Sequence, residues 1–356
     1  MSPAINDPAY PWFPADLWLN GQWTATAKRI PVHNPATGAV ITEVAQADPD
    51  ELTRAIDLAA AAFQSWSRVS AQTRGEILKK VAALLLDRKR EFATLLTLEQ
   101  GKPIRQAEGE VDYTASFYQW FGEEARRLHS VIIDHPAEGR EFIVEKKPLG
   151  VVGIITPWNF PLAQGAKKVA AALAAGCTLV WKPAELTPLV ALAMGPLLKE
   201  AGVPDGVVNI LTAKGSVAGP LFASHPKIAI VSLTGSTETG RLVMRACADG
   251  IKRVSLELGG NAPFIVLADA DLDLACRDLI ALKTLTSGQV CVTANRVFVH
   301  ETILEAFTAR LREGLSRLRF GDGLDPATDL GPLILSLIHI SEPTRLRRIS
   351  YAVFCL

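Results

Sequence analysis

The sequence predicts an α/β protein: a doubly wound parallel sheet followed by a second, incomplete α/β unit. Three observations lead there. Short β-branched runs without polar alternation recur between helical stretches, the pattern of strands buried on both faces. At 356 residues the chain is too long for one simple core. A second series of strand and helix begins after Gly259-Gly260-Asn261.

The elements follow in order. Residues 1–16, with Pro3, Pro8, Pro11 and Pro14, read as a loose lead-in. Leu17-Trp18-Leu19 and Gln22-Trp23-Thr24 flank Asn20-Gly21, the dipeptide of a tight primed hairpin turn. Pro35 to Gly38 turns between two further extended runs. Asp48 is placed to cap a helix with Pro49 at its first position, and Leu52, Ala55, Ile56, Ala59 and Phe63 mark one face. Helices are expected at 72–87, up to about Glu99 with a stop at Gly101, and from about Ile104 to Leu128. Residues 144–148 read as an extended run. Then strands at 151–155, 178–181, 207–211, 228–233 and 254–258 alternate with helices at 164–175, 188–201, 217–224 and 237–248. Beyond Gly259 come strands at 263–267 and 296–300 and helices at 272–285 and 302–318.

Composition narrows the function. Thirty-seven basic and 37 acidic side chains give a net charge of +0, so no electrostatic case exists for nucleic acid or an anionic membrane. The longest apolar run, Val169 to Trp181, is too short to span a bilayer. Five cysteines without a C-x-x-C pair argue against a disulfide framework and against a metal site. No secretory signal is visible, which leaves a reducing cytoplasm and small-molecule chemistry.

Five motifs carry the chemistry. In Ser287-Gly288-Gln289-Val290-Cys291, the cysteine lies just past a predicted helix beside a glycine, and a thiolate is the best side-chain nucleophile near neutral pH. In Leu256-Glu257-Leu258-Gly259-Gly260-Asn261, the glutamate between two leucines should be partly desolvated, which would raise its pKa toward general-base work. Thr156-Pro157-Trp158-Asn159-Phe160-Pro161 follows a buried strand, where α/β sheets place ligands, and the Asn159 amide can donate to a developing oxyanion. Thr234-Gly235-Ser236-Thr237-Glu238-Thr239-Gly240 joins strand to helix and offers backbone N–H groups and Ser236 to a phosphate, though it is neither the dinucleotide fingerprint nor a Walker loop. In Trp181-Lys182-Pro183-Ala184-Glu185, the lysine can bond ribose hydroxyls. Glu185 can accept from a 2′-hydroxyl, and its charge would repel a 2′-phosphate.

In this order the motifs resemble the aldehyde dehydrogenase superfamily, over about residues 17–334. Asn34-Pro35-Ala36-Thr37-Gly38 and Lys147 to Gly153 match too. The resemblance implies a Rossmann-like cofactor domain, with Thr156, Pro157, Trp158, Lys182, Glu185, Gly235, Ser236, Leu258 and Gly259 around the cofactor. It implies that Cys291 attacks an aldehyde to form a thiohemiacetal, that Asn159 and the Cys291 N–H hold its oxyanion, and that Glu257 activates water to hydrolyse the thioester. The expected cofactor is NAD, with NADP disfavoured by Glu185. The expected partners are a small aldehyde and, for the full-length parent, copies of itself in a homodimer or homotetramer.

Trp120 to Arg127 and Lys147 to Pro161 look most similar to succinate-semialdehyde dehydrogenases, which implies succinate semialdehyde or a related aliphatic aldehyde. Those enzymes carry two arginines for the distal carboxylate where this chain has Lys167 and Leu285, a departure that points to a less polar substrate. Thr293 stands where some members have a second cysteine, so no redox switch is expected there. The alternatives are a CoA-acylating relative, against which Glu257 argues, and a non-catalytic cofactor-binding remnant.

The resemblance stops after Gly331-Pro332-Leu333-Ile334. The expected division is 17–258 for cofactor binding, with the arm segment near 135–148, and 259–334 for a partial catalytic unit. Residues 335–356, including His339 and Cys355, look similar to translated sequencing adapter and are expected to be functionless. The chain as written is therefore expected to be inactive or poorly soluble.

Overall fold

A computed structural model describes residues 14–134, 136 and 139–334; most of the predicted lead-in and the whole tail lie outside the described residues. Strands β1 (Leu17–Leu19) and β2 (Gln22–Thr24) pair across Asn20 and Gly21, whose φ angles of 50° and 73° are the left-handed pair that a primed turn requires. β3 (Arg29–His33) and β4 (Val40–Ala45) form a separate antiparallel pair. Helix α1 (Pro49–Trp66) starts on a reciprocal cap: Asp48 accepts from the Asp50 and Glu51 N–H groups, and Glu51 accepts from the Asp48 N–H. α2 (Ala71–Asp87) and α3 (Lys89–Gln100) follow, and α3 stops at Gly101 with φ 91°.

Helix α4 (Ile104–Glu124) ends in a 3-10 turn, Ala125–Arg127. β5 (Val131–Asp134) and β6 (Glu141–Val144) then form a hairpin with Val131 opposite Val144. The arm thus begins earlier than the sequence reading placed it. Only Val144 of the expected extended run lies in a strand, because its pairing partner is the apolar Val131-Ile132-Ile133 just past the helix.

The central series is β7 (Val151–Ile155), α5 (Ala163–Ala175), β8 (Thr178–Lys182), α6 (Leu189–Ala201), β9 (Val208–Ile210), α7 (Gly215–Ser224), β10 (Ile228–Gly235), α8 (Thr237–Ala248) and β11 (Arg253–Leu258). The sheet order is β11-β10-β7-β8-β9-β1-β2, with β7 to β11 parallel and the β1–β2 hairpin added antiparallel beside β9. The chain therefore winds outward from β7 through β8 and β9, then returns to place β10 on the other side of β7. Between β7 and β10 lies the topological switch point, where such sheets open a ligand crevice. One apolar core joins the sheet to α2, α3, α4, α5 and α6; the other joins it to α1, α7 and α8. No described helix is long and apolar enough to cross a membrane.

Beyond β11, β12 (Ala262–Val266) and β13 (Ala294–Val299) pair in parallel, with α9 (Leu272–Thr284) and α10 (Leu304–Ser316) against them. Their cluster is small: Val266, Cys276, Leu279, Ala294 and Phe307.

Candidate active site

The register of the parallel strands lines up most of the singled-out residues. Ile155 is level with Lys182 on one side and with Leu233 on the other, and Thr234 and Gly235 are level with Glu257 and Leu258. The turns after β7, β8, β10 and β11 therefore open at one edge of the sheet, around the switch point.

After β7, Thr156 is buried: its hydroxyl accepts from the Trp181 indole at 2.9 Å and its N–H donates to the Lys182 carbonyl at 3.2 Å. Pro157 and Trp158 are half-buried and carry the chain into Asn159. The Asn159 amide donates to the Gln289 carbonyl at 2.9 Å, and its side-chain oxygen accepts from the Phe160 N–H at 3.0 Å. An amide NH2 has two donors, so one remains for another acceptor.

Gln289 lies two residues before Cys291. The segment between α9 and Cys291 is a 3-10 turn, Leu285–Gly288, with Thr286 and Ser287 at φ 50° and 55°. Thr286 and Ser287 are side chains with a Cβ in left-handed backbone, a conformation that persists only when neighbours hold it. Cys291 is the one exposed cysteine among the described residues; Cys177, Cys247 and Cys276 are buried. Its carbonyl packs on the turn after β11, where a methyl at Gly260 would sit 3.4 Å from the Cys291 oxygen. Two bonds bind the same segments: Asn295 donates to the Gly260 carbonyl at 3.0 Å, and Arg296 to the Asn261 carbonyl at 3.2 Å. Asn159, Cys291 and the Glu257–Gly260 turn are thus brought to one place.

Glu257 corrects one expectation. It is exposed rather than desolvated, because β11 is the outermost strand of the sheet and alternates exposed and half-buried residues. The half-buried neighbour is Lys168 on α5, which the sequence reading passed over. Its ammonium donates to the Ser232 hydroxyl at 2.9 Å. Burial, opposed by the Glu257 carboxylate, pulls it down from 10.5 to about 8.

The edge expected to take the cofactor is built from three pieces. The buried Lys182 ammonium pairs with Glu185 at 2.6 Å, and the Gly215 N–H donates to the other Glu185 oxygen at 2.7 Å. Burial works to raise the Glu185 pKa, but Lys182 and the Gly215 N–H overcome it and hold the carboxyl below its usual range. A side chain at Gly215 would enter this cradle, with its Cβ 3.8 Å from the Lys182 nitrogen and 3.9 Å from Glu185. At the third piece, Ser236 caps α8 by accepting from the Thr239 N–H at 3.1 Å. Gly240 is needed one turn on, since a Cβ there would lie 2.7 Å from Leu258. That close helix–strand packing is why glycine ends the Gly235–Gly240 motif. An open helix N-terminus and a charged cradle that can bond hydroxyls, on one sheet edge, fit a dinucleotide. Gly259 continues the Leu258 turn and is exposed.

The model of the aldehyde dehydrogenase family matches residues 23–337. The chain belongs to the aldehyde dehydrogenase family. It is 45% identical over 318 residues to an NADP(+) succinate-semialdehyde dehydrogenase of Escherichia coli strain K12, covering 89% of this chain. The chain spans 66% of that enzyme's length. The succinate-semialdehyde dehydrogenase structure from Burkholderia pseudomallei has a TM-score of 0.93 at 41% identity, covering 97% of this chain and 71% of that one. An NADP-dependent E. coli enzyme has a TM-score of 0.90 at 44% identity, covering 92% and 68%. The resemblance to succinate-semialdehyde dehydrogenases read from the sequence is borne out.

The preference for NAD over NADP is overturned by these relatives, two of which are named for NADP. The physical reason lies in the cradle. The sequence expectation is that the Glu185 charge repels a 2′-phosphate, whereas in the fold Lys182 and the Gly215 N–H already pair with that charge. What the sequence reading missed is the neighbouring start of α7, where Lys214, Gly215 and Ser216 are exposed.

Proposed function

We propose that this chain carries the machinery of an NADP-dependent oxidation of an aldehyde to its carboxylic acid. The observation that supports it best is the meeting of the Asn159 amide, the exposed Cys291 and the Glu257 turn at the switch point. In this reading residues 17–258 hold the cofactor and 259–334 carry the nucleophile. A nicotinamide dinucleotide, when bound, accepts the hydride that leaves the substrate carbon. Thr156, Pro157, Trp158, Gly235, Ser236, Leu258 and Gly259 would line its site, with Lys182 and Glu185 at the ribose. The exposed Lys214 and Ser216 at the α7 start would meet a 2′-phosphate.

The chain's own residues supply the rest. The Cys291 thiolate adds to the aldehyde carbon, and the free Asn159 donor together with the Cys291 N–H takes the oxyanion. After hydride departs, the substrate is a thioester on Cys291. Glu257, exposed to solvent at the sheet edge, takes a proton from water as that water attacks, and the thiolate leaves.

For the substrate, the relatives point to an aldehyde with a distal carboxylate. Lys167 supports this without an arginine: its ammonium stands 5.4 Å from the Tyr113 ring centre and 5.2 Å from that of Phe117, at the head of α5 beside the Asn159 turn. A single ammonium gives a point charge rather than a bidentate clamp, which suits a carboxylate held loosely. Four free thiols among the described residues suit a reducing cytoplasm. The β5–β6 hairpin, exposed and apolar, is where we place self-association.

The test is Glu257→Gln with succinate semialdehyde and NADP. Expected, in a chain extended to the full length of its relatives, is one equivalent of NADPH and a thioester adduct on Cys291 that hydrolyses about 10²–10⁴-fold more slowly. Undiminished NADPH formation by Cys291→Ala would sink the reading. Acyl-CoA produced on adding CoA would replace water with CoA as the acceptor.

A further inference from the structure

Helix α4 carries two polar side chains one turn apart, Gln106 and Glu110, and each reaches one half of the proposed site. Residues at i and i+4 share a helix face. Gln106, half-buried, straddles the turn before the nucleophile: its side-chain oxygen accepts from the Thr286 N–H at 2.7 Å, and its NH2 donates to the Thr284 carbonyl at 3.3 Å. Glu110, fully buried, holds the turn after Asn159: one oxygen accepts from the Leu162 and Ala163 N–H groups at 3.0 and 3.1 Å. Its other oxygen takes the buried Lys102 ammonium at 2.5 Å, and Lys102 also donates to the Asn159 carbonyl at 2.8 Å. The same ammonium stands 4.2 Å from the Phe160 ring centre.

These bonds explain features otherwise left open. Thr286 and Ser287 keep left-handed backbone because Gln106 satisfies the groups on either side of Leu285. A fully buried ion pair is weak evidence for stability, since desolvation offsets its attraction. Its remaining bonds all go to the Asn159–Ala163 turn, so its use lies in placing that turn.

We infer that Lys102, just before α4, and Gln106 and Glu110 on it are positioning residues, a two-point clamp that sets the gap between the Asn159 donor and the Cys291 sulfur. The inference rests on the roles given to Asn159 and Cys291 above. A displacement of about 1 Å in such a gap costs on the order of 10²-fold in rate.

The experiment uses two probes of Cys291 on the full chain. p-Nitrophenyl acetate acylates the thiolate through an oxyanion, with the C–S bond forming as nitrophenolate leaves. Iodoacetamide alkylates the same thiolate with no oxyanion. Gln106→Ala is the mild variant; Lys102→Met with Glu110→Gln removes the buried charges together, so neither is left unpaired. Each should slow acylation by roughly 10–100-fold while alkylation shifts less than about threefold. General loosening of the fold would move both probes together, and that result overturns the clamp. Asn159→Ala separates the two levels. If it slows acylation and the clamp variants do not, the clamp is wrong. If it leaves acylation unchanged, or the unaltered chain is not acylated at Cys291, the role of Asn159 is wrong. Amide exchange then decides the clamp alone: unchanged protection of Leu162, Ala163 and Thr286 in the variants overturns it.

Discussion

Lys168 is the residue whose charge state most directly touches the proposed base. Its burial on α5 favours the neutral amine, and its pKa stands near 8. A lysine with a lowered pKa is charged below that value and loses its proton as pH rises through it. The proposed site then loses a positive charge beside Glu257. Thioester hydrolysis should therefore show an inflection near pH 8. In Lys168→Met that inflection should vanish, and its survival in the pH profile would show that another group titrates there. The sequence did not reveal this pairing, because Glu257 and Lys168 lie far apart in the chain and meet only across β7, β10 and β11. It also misjudged Glu257 itself. Two flanking leucines suggested burial, but which strand ends a sheet is decided by winding order, not by a strand's own letters.

At the scale of elements, local signals served well where they are local. Asp48-Pro49 begins α1, Asn20-Gly21 turns the first hairpin, and Gly101 stops α3. The motif turns were legible too, since each directly follows a parallel strand. The clamp on α4 was not, because the turns that Gln106 and Glu110 hold lie 52 to 180 residues away. Close packing between α5 and β8 was equally silent. Gly165 faces Trp181 so tightly that a Cβ there would come within 2.1 Å of the indole. That indole also holds Thr156 at the cofactor edge. Gly165→Ala should cost about 1–3 kcal/mol by overpacking, read as a lower urea midpoint. It should also weaken NADP binding, since Trp181 must shift. A variant with unchanged midpoint and affinity would mean that the helix yields instead.

For the whole molecule, the β5–β6 strand pair is an extended apolar feature of the described surface. Every residue of strands β5 and β6 is exposed, with Ile132 at 65% and Ile143 at 67%. A two-stranded ribbon exposed on both faces is marginal alone in water. Sedimentation velocity should show concentration-dependent association that Ile132→Lys with Ile143→Lys abolishes; identical profiles for the two proteins would remove the hairpin from the contact.

The unequal sizes of the three apolar clusters have a consequence for how the molecule comes apart. The apolar cluster behind β12 and β13 has five buried side chains, whereas dozens knit the helices to the main sheet. Sub-global opening starts where burial is least. Two buried thiols serve as internal clocks, Cys276 in the small cluster and Cys177 in the large one. As urea rises, Cys276 should become alkylated well before Cys177; simultaneous labelling would mean that both units melt as one cooperative body.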